Sequence, residues 1–329
     1  MGRSVRSLAS LVPVGLLVAI GPFEGLPILD PPSQGSPPSG GSPPSGGSPP
    51  SEEYPPSDGF PEVGEPRFED VGAPGDAAAI WGSIDCERLA RVRQGRSGGD
   101  PHLRADGEPQ GADGFRRLRV RDGDDFYGER CELGRNDHRY SPVAVYHEGE
   151  RLITFASFRL RAGFPLRRNA WQVVMQMKQS QPSNAGGGTP VLALHAYDGR
   201  WRLSHTGSSS SDLDDGPIWS APARKGTWVR FAFNVVYSAD PSVGSVQIRT
   251  DLNSDGDALD EGELSRTLHL QTLKRETAGR SSDGLSKGDP IPSHLRAGIY
   301  HDDSYRCRRY RCTIDIDNVG VYTPAGPPE

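Results

Sequence analysis

From Phe115 to Tyr322 the chain is a succession of short runs in which apolar and polar residues alternate with period two, broken at Gly, Asp or Pro. A period of two is the pleat of a β-strand with one buried face. The runs are Phe115–Arg121, Arg130–Leu133, Val143–His147, Leu152–Leu160, Trp171–Lys178, Val191–Tyr197, Trp201–Ser204, Trp228–Tyr237, Ser245–Thr250, Arg266–Leu270, Leu295–Tyr300 and Thr313–Tyr322. About twelve strands at this spacing predict a sandwich of two sheets. Asp198-Gly199, between two runs, is a two-residue hairpin signal. A helical pattern is confined to Glu87–Gln94, where one short helix is expected. The 41 Gly and 30 Pro among 329 residues agree, since so many turn formers exclude a helical bundle or a coiled coil.

Ahead of the strands lie two segments of different character. Residues 1–27 read as a secretory signal: Arg3 and Arg6 precede the apolar run Leu8–Ile20, which Pro13 and Gly15 interrupt. That run is too short to span a bilayer comfortably. Residues 28–65 read as a linker that repeats GSPPSG and holds 11 Pro and 7 Gly within positions 31–65. Proline pairs favour extended polyproline II, Gly-Ser pairs add flexibility, and the apolar content cannot offset chain entropy, so a disordered spacer is expected. One domain, 66–329, remains. Its 35 basic and 36 acidic residues nearly cancel. No global positive field exists to attract nucleic acid, and anion recognition must come from a local cluster. The expectation is a secreted monomer, free of the membrane once the leader is cleaved.

The four cysteines are Cys86, Cys131, Cys307 and Cys312. An even count in an exported chain suggests two disulfides, with three possible connectivities. The spacing C-R-R-Y-R-C is too basic for zinc, because its charges repel a dication. The favoured pairs are Cys307–Cys312, closing a tight hairpin loop, and Cys86–Cys131, stapling the first strand to a later one. Period two also sorts faces. Gln172, Val174, Gln176 and Lys178 share one side of their strand, with Val173, Met175 and Met177 on the other. Arg296, Gly298 and Tyr300 oppose Leu295, Ala297 and Ile299, and Arg130 shares a face with Glu132. Side by side, such faces make a polar, cationic groove suited to an acidic polymer.

Three of these strands resemble the motifs of jelly-roll polysaccharide lyases. Gly128-Glu129-Arg130-Cys131-Glu132-Leu133 resembles R-[ST]-E-L, Gln176-Met177-Lys178 resembles Q-x-H, and Arg296-Ala297-Gly298-Ile299-Tyr300 resembles K-A-G-x-Y. Over residues 80–323 the chain is similar to the heparin lyase I-like family, related to glucuronan and alginate lyases. The resemblance implies an all-β jelly-roll sandwich of the concanavalin A-like lectin and glucanase type. It implies β-elimination at a uronic acid, with an acidic polysaccharide as partner and no organic cofactor. The C5 proton is poorly acidic until the carboxylate charge is offset. Carried over by motif, Arg130 and Gln176 bind that carboxylate, and Tyr300 is the acid, or acid and base together in a syn elimination. The family histidine is replaced by Lys178 and the family lysine by Arg296, and Asp302 stands where a glutamine often follows the tyrosine. Lys178 either neutralises the carboxylate or, desolvated, acts as base. Glu132, Arg296 and His195 are placed with the substrate-binding residues. The alternative is a non-catalytic carbohydrate-binding module that keeps the fold without a base.

One further motif stands apart. Asp251-Leu252-Asn253-Ser254-Asp255-Gly256-Asp257 begins like an EF-hand loop, with oxygen ligands at positions 1, 3 and 5 and Gly at 6. Position 12 is Gly262, so Asp260 and Glu263 substitute for the usual glutamate. A structural Ca2+ held by Asp251, Asn253, Asp255, Asp257, Asp260 and Glu263 is expected.

Overall fold

The computed structural model describes residues 60–70, 77–87, 92–95, 114–121, 124, 128–134, 145–167, 170–179, 189–206, 217–253, 260, 262–277, 284–301, 307 and 312–326. The leader, most of the linker, Asp255, Asp257 and Asp302 lie outside the described residues. The chain begins β1 (Val63–Asp70), α1 (Ala77–Trp81), β2 (Ser83–Cys86), β3 (Val92–Gly95), β4 (Phe115–Val120), β5 (Arg130–Gly134) and β6 (Val145–Tyr146). It continues through β7 (Arg151–Leu160), β8 (Gln172–Gln179), β9 (Leu192–Tyr197), β10 (Arg200–His205), β11 (Pro217–Pro222) and β12 (Trp228–Val236). The last elements are β13 (Ser245–Asp251), β14 (Leu268–His269), β15 (Lys274–Arg275), β16 (Pro290–Ile291), β17 (Ser293–His301) and β18 (Cys312–Pro324).

Two antiparallel sheets of eight strands face each other. One is ordered β14-β13-β12-β7-β18-β4-β3 with β1 on β18; the other is ordered β11-β10-β9-β8-β17-β5-β2 with β6 on β17. Neighbours far apart in sequence, such as β5 between β17 and β2, make this a sandwich with long crossovers rather than a meander. All twelve expected runs contain a strand. The strand β3 corrects the helix expected over Glu87–Gln94: Val92–Gly95 pairs with β4, and the helix of the region is Ala77–Trp81. The strand β1 starts at Val63, inside the segment assigned to the linker, and is held by pairing to the long strand β18.

The core lies between the sheets, because each strand sends alternate apolar residues inward. Phe231 of β12 is its aromatic centre, with Trp201 at 5.1 Å and Phe158 and Trp219 both at 6.1 Å between ring centroids. Burying a ring of that size stabilises by roughly 1.5–3 kcal/mol. Both favoured disulfides form: Cys86–Cys131 joins directly paired residues of β2 and β5, and Cys307–Cys312 brackets the entry to β18.

One irregularity rearranges the expected faces. In β8, Val173 pairs with His195 and Met175 with Leu194, so an extra residue is inserted at Val174. Such a bulge turns the chain over. Val174, Met175 and Met177 all belong to the core, while Val173 pairs with Tyr300 and His195 on the outside. The face expected to group Gln172 and Val174 with Gln176 and Lys178 is therefore kept only by the last two.

Candidate active site

The outer face of the second sheet carries the polar residues. Cross-strand partners share a face, and the pairs Asp85↔Glu132, Glu132↔Gly298, Arg130↔Tyr300, Arg296↔Gln176 and His294↔Lys178 set the side chains of four neighbouring strands side by side. Gly298 makes this possible. A Cβ there would collide with the Cys131 carbonyl oxygen and lie 2.6 Å from Glu132 Cα, so only glycine lets β17 approach β5 so closely.

Glu132, 1% exposed, is the hub. Its Oε1 accepts a 2.6 Å hydrogen bond from Gln176 Nε2. Its Oε2 lies 3.5 Å from Arg296 Nη1 and 3.6 Å from Arg130 Nη1. Arg296 Nη1 also pairs with Asp85 Oδ2 at 2.6 Å, and its Nε donates to His294 Nε2 at 3.1 Å. That bond assigns the proton of the neutral His294 ring to Nδ1. Burial, then Arg296 and Lys178, hold the His294 pKa well below the usual histidine range. The cluster is charge-rich and positive, with Arg130, Lys178 and Arg296 set against Asp85 and Glu132.

Two groups capable of proton transfer flank this hub. At one end the Tyr300 ring lies under the Arg130 guanidinium, 3.9 Å from its carbon, and meets the edge of Trp171 at 4.9 Å. The Tyr300 hydroxyl makes no hydrogen bond among the described residues. At the other end stands Lys178, whose pKa is lowered to about 8, chiefly by burial and then by the charges of Arg296, Lys274 and Arg130; Glu132 opposes the shift. Lys274, itself buried, comes from the short strand β15 and donates to the Thr189 carbonyl at 2.7 Å.

The expected residues Arg130, Glu132, Gln176, Lys178, Arg296 and Tyr300 are thus on one face. Gln176 differs from expectation in detail, since its amide N–H is engaged by Glu132. His195 stands further along the same sheet, opposite Val173 rather than beside Tyr300. Its Nε2 shares a 2.7 Å hydrogen bond with Ser204 Oγ. Burial and Arg202 lower its pKa to about 4, so it is neutral over the physiological range. Asp85, Trp171 and His294 are site residues that sequence reasoning missed. Asp85 was legible through the Cys86–Cys131 pair, which sets it opposite Glu132; His294 lies on the Arg296 face, one residue before the expected start of that strand.

The expected calcium loop departs from β13. Glu263, 1% exposed, accepts the backbone N–H groups of Leu252 at 2.7 Å and Asp260 at 3.0 Å. Asn253 Nδ2 donates to Asp260 Oδ2 at 2.7 Å. The Gly262 carbonyl accepts from Trp219 Nε1 at 3.3 Å, which ties the loop to β11. His301, Cys307 and Cys312 also lie together, but both sulfurs are in the disulfide. His301 instead pairs with Glu129 at 3.0 Å and pins the end of β17 beside Tyr300.

A family model described as polysaccharide lyase matches residues 74–315. The chain belongs to the polysaccharide lyase family. Among solved structures, the lyase is similar to an endo-β-1,4-glucuronan lyase from the fungus Trichoderma reesei, with a TM-score of 0.52 and 14% identity over 79% of this chain and 96% of that one. A PL-14 alginate lyase from Aplysia kurodai aligns with a TM-score of 0.45 and 12% identity, covering 79% of this chain and 100% of that one. At these identities the likeness is one of fold. No curated protein matches the lyase by sequence.

Proposed function

We propose that this polysaccharide lyase cleaves an acidic, uronate-containing polysaccharide by β-elimination on the outer face of the second sheet. The observation that carries the reading is the lysine–tyrosine pair flanking a hub in which Arg130 and Arg296 are held by Asp85 and Glu132. Lys178 and Tyr300 are anchored at pairs His294↔Lys178 and Tyr300↔Val173. Six residues of β17 separate those levels, about 20 Å of extended strand. Arg130 links the two residues: its charge acts on Lys178, and its guanidinium lies 3.9 Å over the Tyr300 ring, so both groups address one cluster.

In this mechanism Arg130 and Arg296 offset the C5 carboxylate charge, so that the anion developing at C5 is stabilised. Neutral Lys178 removes the C5 proton. The electron pair forms the C4–C5 double bond, the C4–O bond breaks, and the Tyr300 hydroxyl protonates the leaving oxygen. In a two-sided arrangement, with base and acid distinct, the favoured uronates are those whose C5 hydrogen and C4 oxygen lie on opposite ring faces. Guluronate and iduronate have that stereochemistry, and the latter accords with the heparin lyase-like motifs. The test is a panel of alginate, glucuronan, heparin and hyaluronan assayed for the ultraviolet absorbance of the new double bond. Product from guluronate or iduronate blocks is expected; product from glucuronan or mannuronate alone refutes the two-sided arrangement.

The same proposal includes secretion and a structural Ca2+. Two disulfides suit an oxidising compartment. In the 251–263 loop the Glu263 carboxyl is raised above its usual range chiefly by burial; the Leu252 and Asp260 N–H groups oppose the shift, and the Asp251 and Asp260 charges add to it by repulsion. A dication held by Asp251, Asn253, Asp255, Asp257, Asp260 and Glu263 relieves that repulsion. Chelation should lower the melting temperature and millimolar Ca2+ restore it, because a ligand of the folded state stabilises by mass action. Asp255→Ala should abolish the response, and a melting temperature indifferent to calcium removes the metal.

A further inference from the structure

The outer face of the first sheet, on the far side of the core from the proton-transfer residues, carries arginines in rows. Strand pairing aligns Arg93, Arg117, Asp315, Arg159 and Trp228 straight across β3, β4, β18, β7 and β12. In the adjacent row Arg119 pairs with Thr313, whose carbonyl accepts the Arg161 N–H at 3.2 Å. Lys225 follows at the end of that row, its ammonium donating to the Ala162 carbonyl at 3.0 Å.

A single acid stands within these rows among the described residues. Asp315, fully buried, takes Arg117 Nε at 2.6 Å, Arg159 Nη2 at 2.9 Å and Arg161 Nη1 at 3.5 Å. It fixes the guanidiniums in place without matching their number. Arg93 and Arg117 are directly opposed, an arrangement that is destabilising by itself. The following row is of different character: Asp317, Ser157, Arg230 and Asp251 pair across it. The 35 basic and 36 acidic residues of 66–329 almost cancel, so this concentration is local.

We propose that these arginine rows are a second binding surface for an acidic polysaccharide, separate from the site of elimination. The ligand class rests on the reading of the substrate as a uronate polymer. Arg93 and Arg159 are three strands apart, about 14 Å at ordinary sheet spacing, a span that fits a run of sugars and not a single ion. Guanidiniums bind carboxylates and sulfates through paired N–H groups, and Arg117 and Arg161 retain 30% and 41% side-chain exposure for that purpose. A membrane is disfavoured as partner: the large exposed hydrophobics among the described residues are Val243 and Leu264, neither of them on these strands. Holding a long chain on this face raises its concentration at the same molecule, so long polymers gain and short ones do not.

The test uses the double variant Arg93→Gln/Arg161→Gln, which leaves the two shortest Asp315 pairs intact; the single Arg93→Gln, at an exposed position, guards against a folding defect. Retention is measured in gels containing alginate, heparin or neutral hydroxyethylcellulose, each variant also being placed in a Tyr300→Phe background. The proposal expects salt-sensitive retention by the acidic polymers that survives Tyr300→Phe and falls ~10-fold or more in the double variant. It also expects a raised KM on long polymer and unchanged turnover of short oligouronates. Wild-type retention by the double variant overturns the proposal. So does equal binding of anionic lipid vesicles or duplex DNA at the same salt. If no uronate yields unsaturated product, the elimination mechanism fails, and the retention assay still decides this surface independently.

Discussion

Glu132 shows how one buried carboxylate organises a site it does not need to react in. It orients Gln176 by hydrogen bond and draws Arg130 and Arg296 to its other oxygen. The two groups assigned to the chemistry stand outside that knot. Tyr300→Phe removes only a hydroxyl that has no hydrogen bond among the described residues, so the fold should be kept while product formation falls at least ~10²-fold. Near-normal turnover in a folded variant refutes the mechanism. The pH profile tests Lys178 independently. A lysine base works as the neutral amine, and its pKa is about 8. The rate should therefore rise as pH passes through about 8, and Lys178→His should move that limb toward the histidine range, ~6.5. A rate that falls through the same window identifies Lys178 as a carboxylate-binding cation instead.

Strands set where these side chains stand, and two local features control the strands. The bulge at Val174 lets Val173 join the outer face while Met175 and Met177 stay in the core. Gly298 permits the close contact of β17 with β5. Gly298→Ala forces its methyl group onto the Cys131 carbonyl, and the strands must separate. A loss of about 1–3 kcal/mol is expected in urea unfolding, together with weakened activity, because Glu132 and Arg296 are carried by the two strands that part. Unchanged stability would mean that β17 and β5 do not approach as described. The disulfide Cys86–Cys131 acts at the same scale. It locks β2 to β5, and with it Asp85 to the Arg296 guanidinium.

For the molecule as a whole, the two sheets share a core but differ in the charge they present outward. The site sheet buries a mixed cluster, whereas the opposite sheet presents arginine rows beside a row with two aspartates. In that row burial, chiefly, raises Asp317 to about 7. Its folded-state pKa thus exceeds the unfolded value of ~3.9, and the folded chain binds more protons between those limits. Stability should consequently fall as pH rises from about 4 to 7 on account of this group. Asp317→Asn should flatten that slope and raise the melting temperature at pH 8. A variant with the parent's slope excludes Asp317 as its source.

The cysteine count suggested two disulfides but left three connectivities, between which the structure decided. Period two and turn residues determined the all-β class, the twelve principal strands and the shared face of Arg130 and Glu132. These follow from local sterics and from the alternation that burial of one face imposes. Arg296, Gly298 and Tyr300 were legible on one face for the same reason. The bulge in β8 was not. After Gln172 the strand runs through Val173, Val174 and Met175, all apolar, and an apolar run carries no alternation from which an inserted residue could be read. Only the tertiary structure set Arg296 beside Gln176 and Glu132, brought Lys274 near Lys178, and aligned Arg93, Arg117 and Arg159 across four strands. Those meetings depend on which strands become neighbours, and neighbour choice is made by non-local pairing that no window of sequence contains.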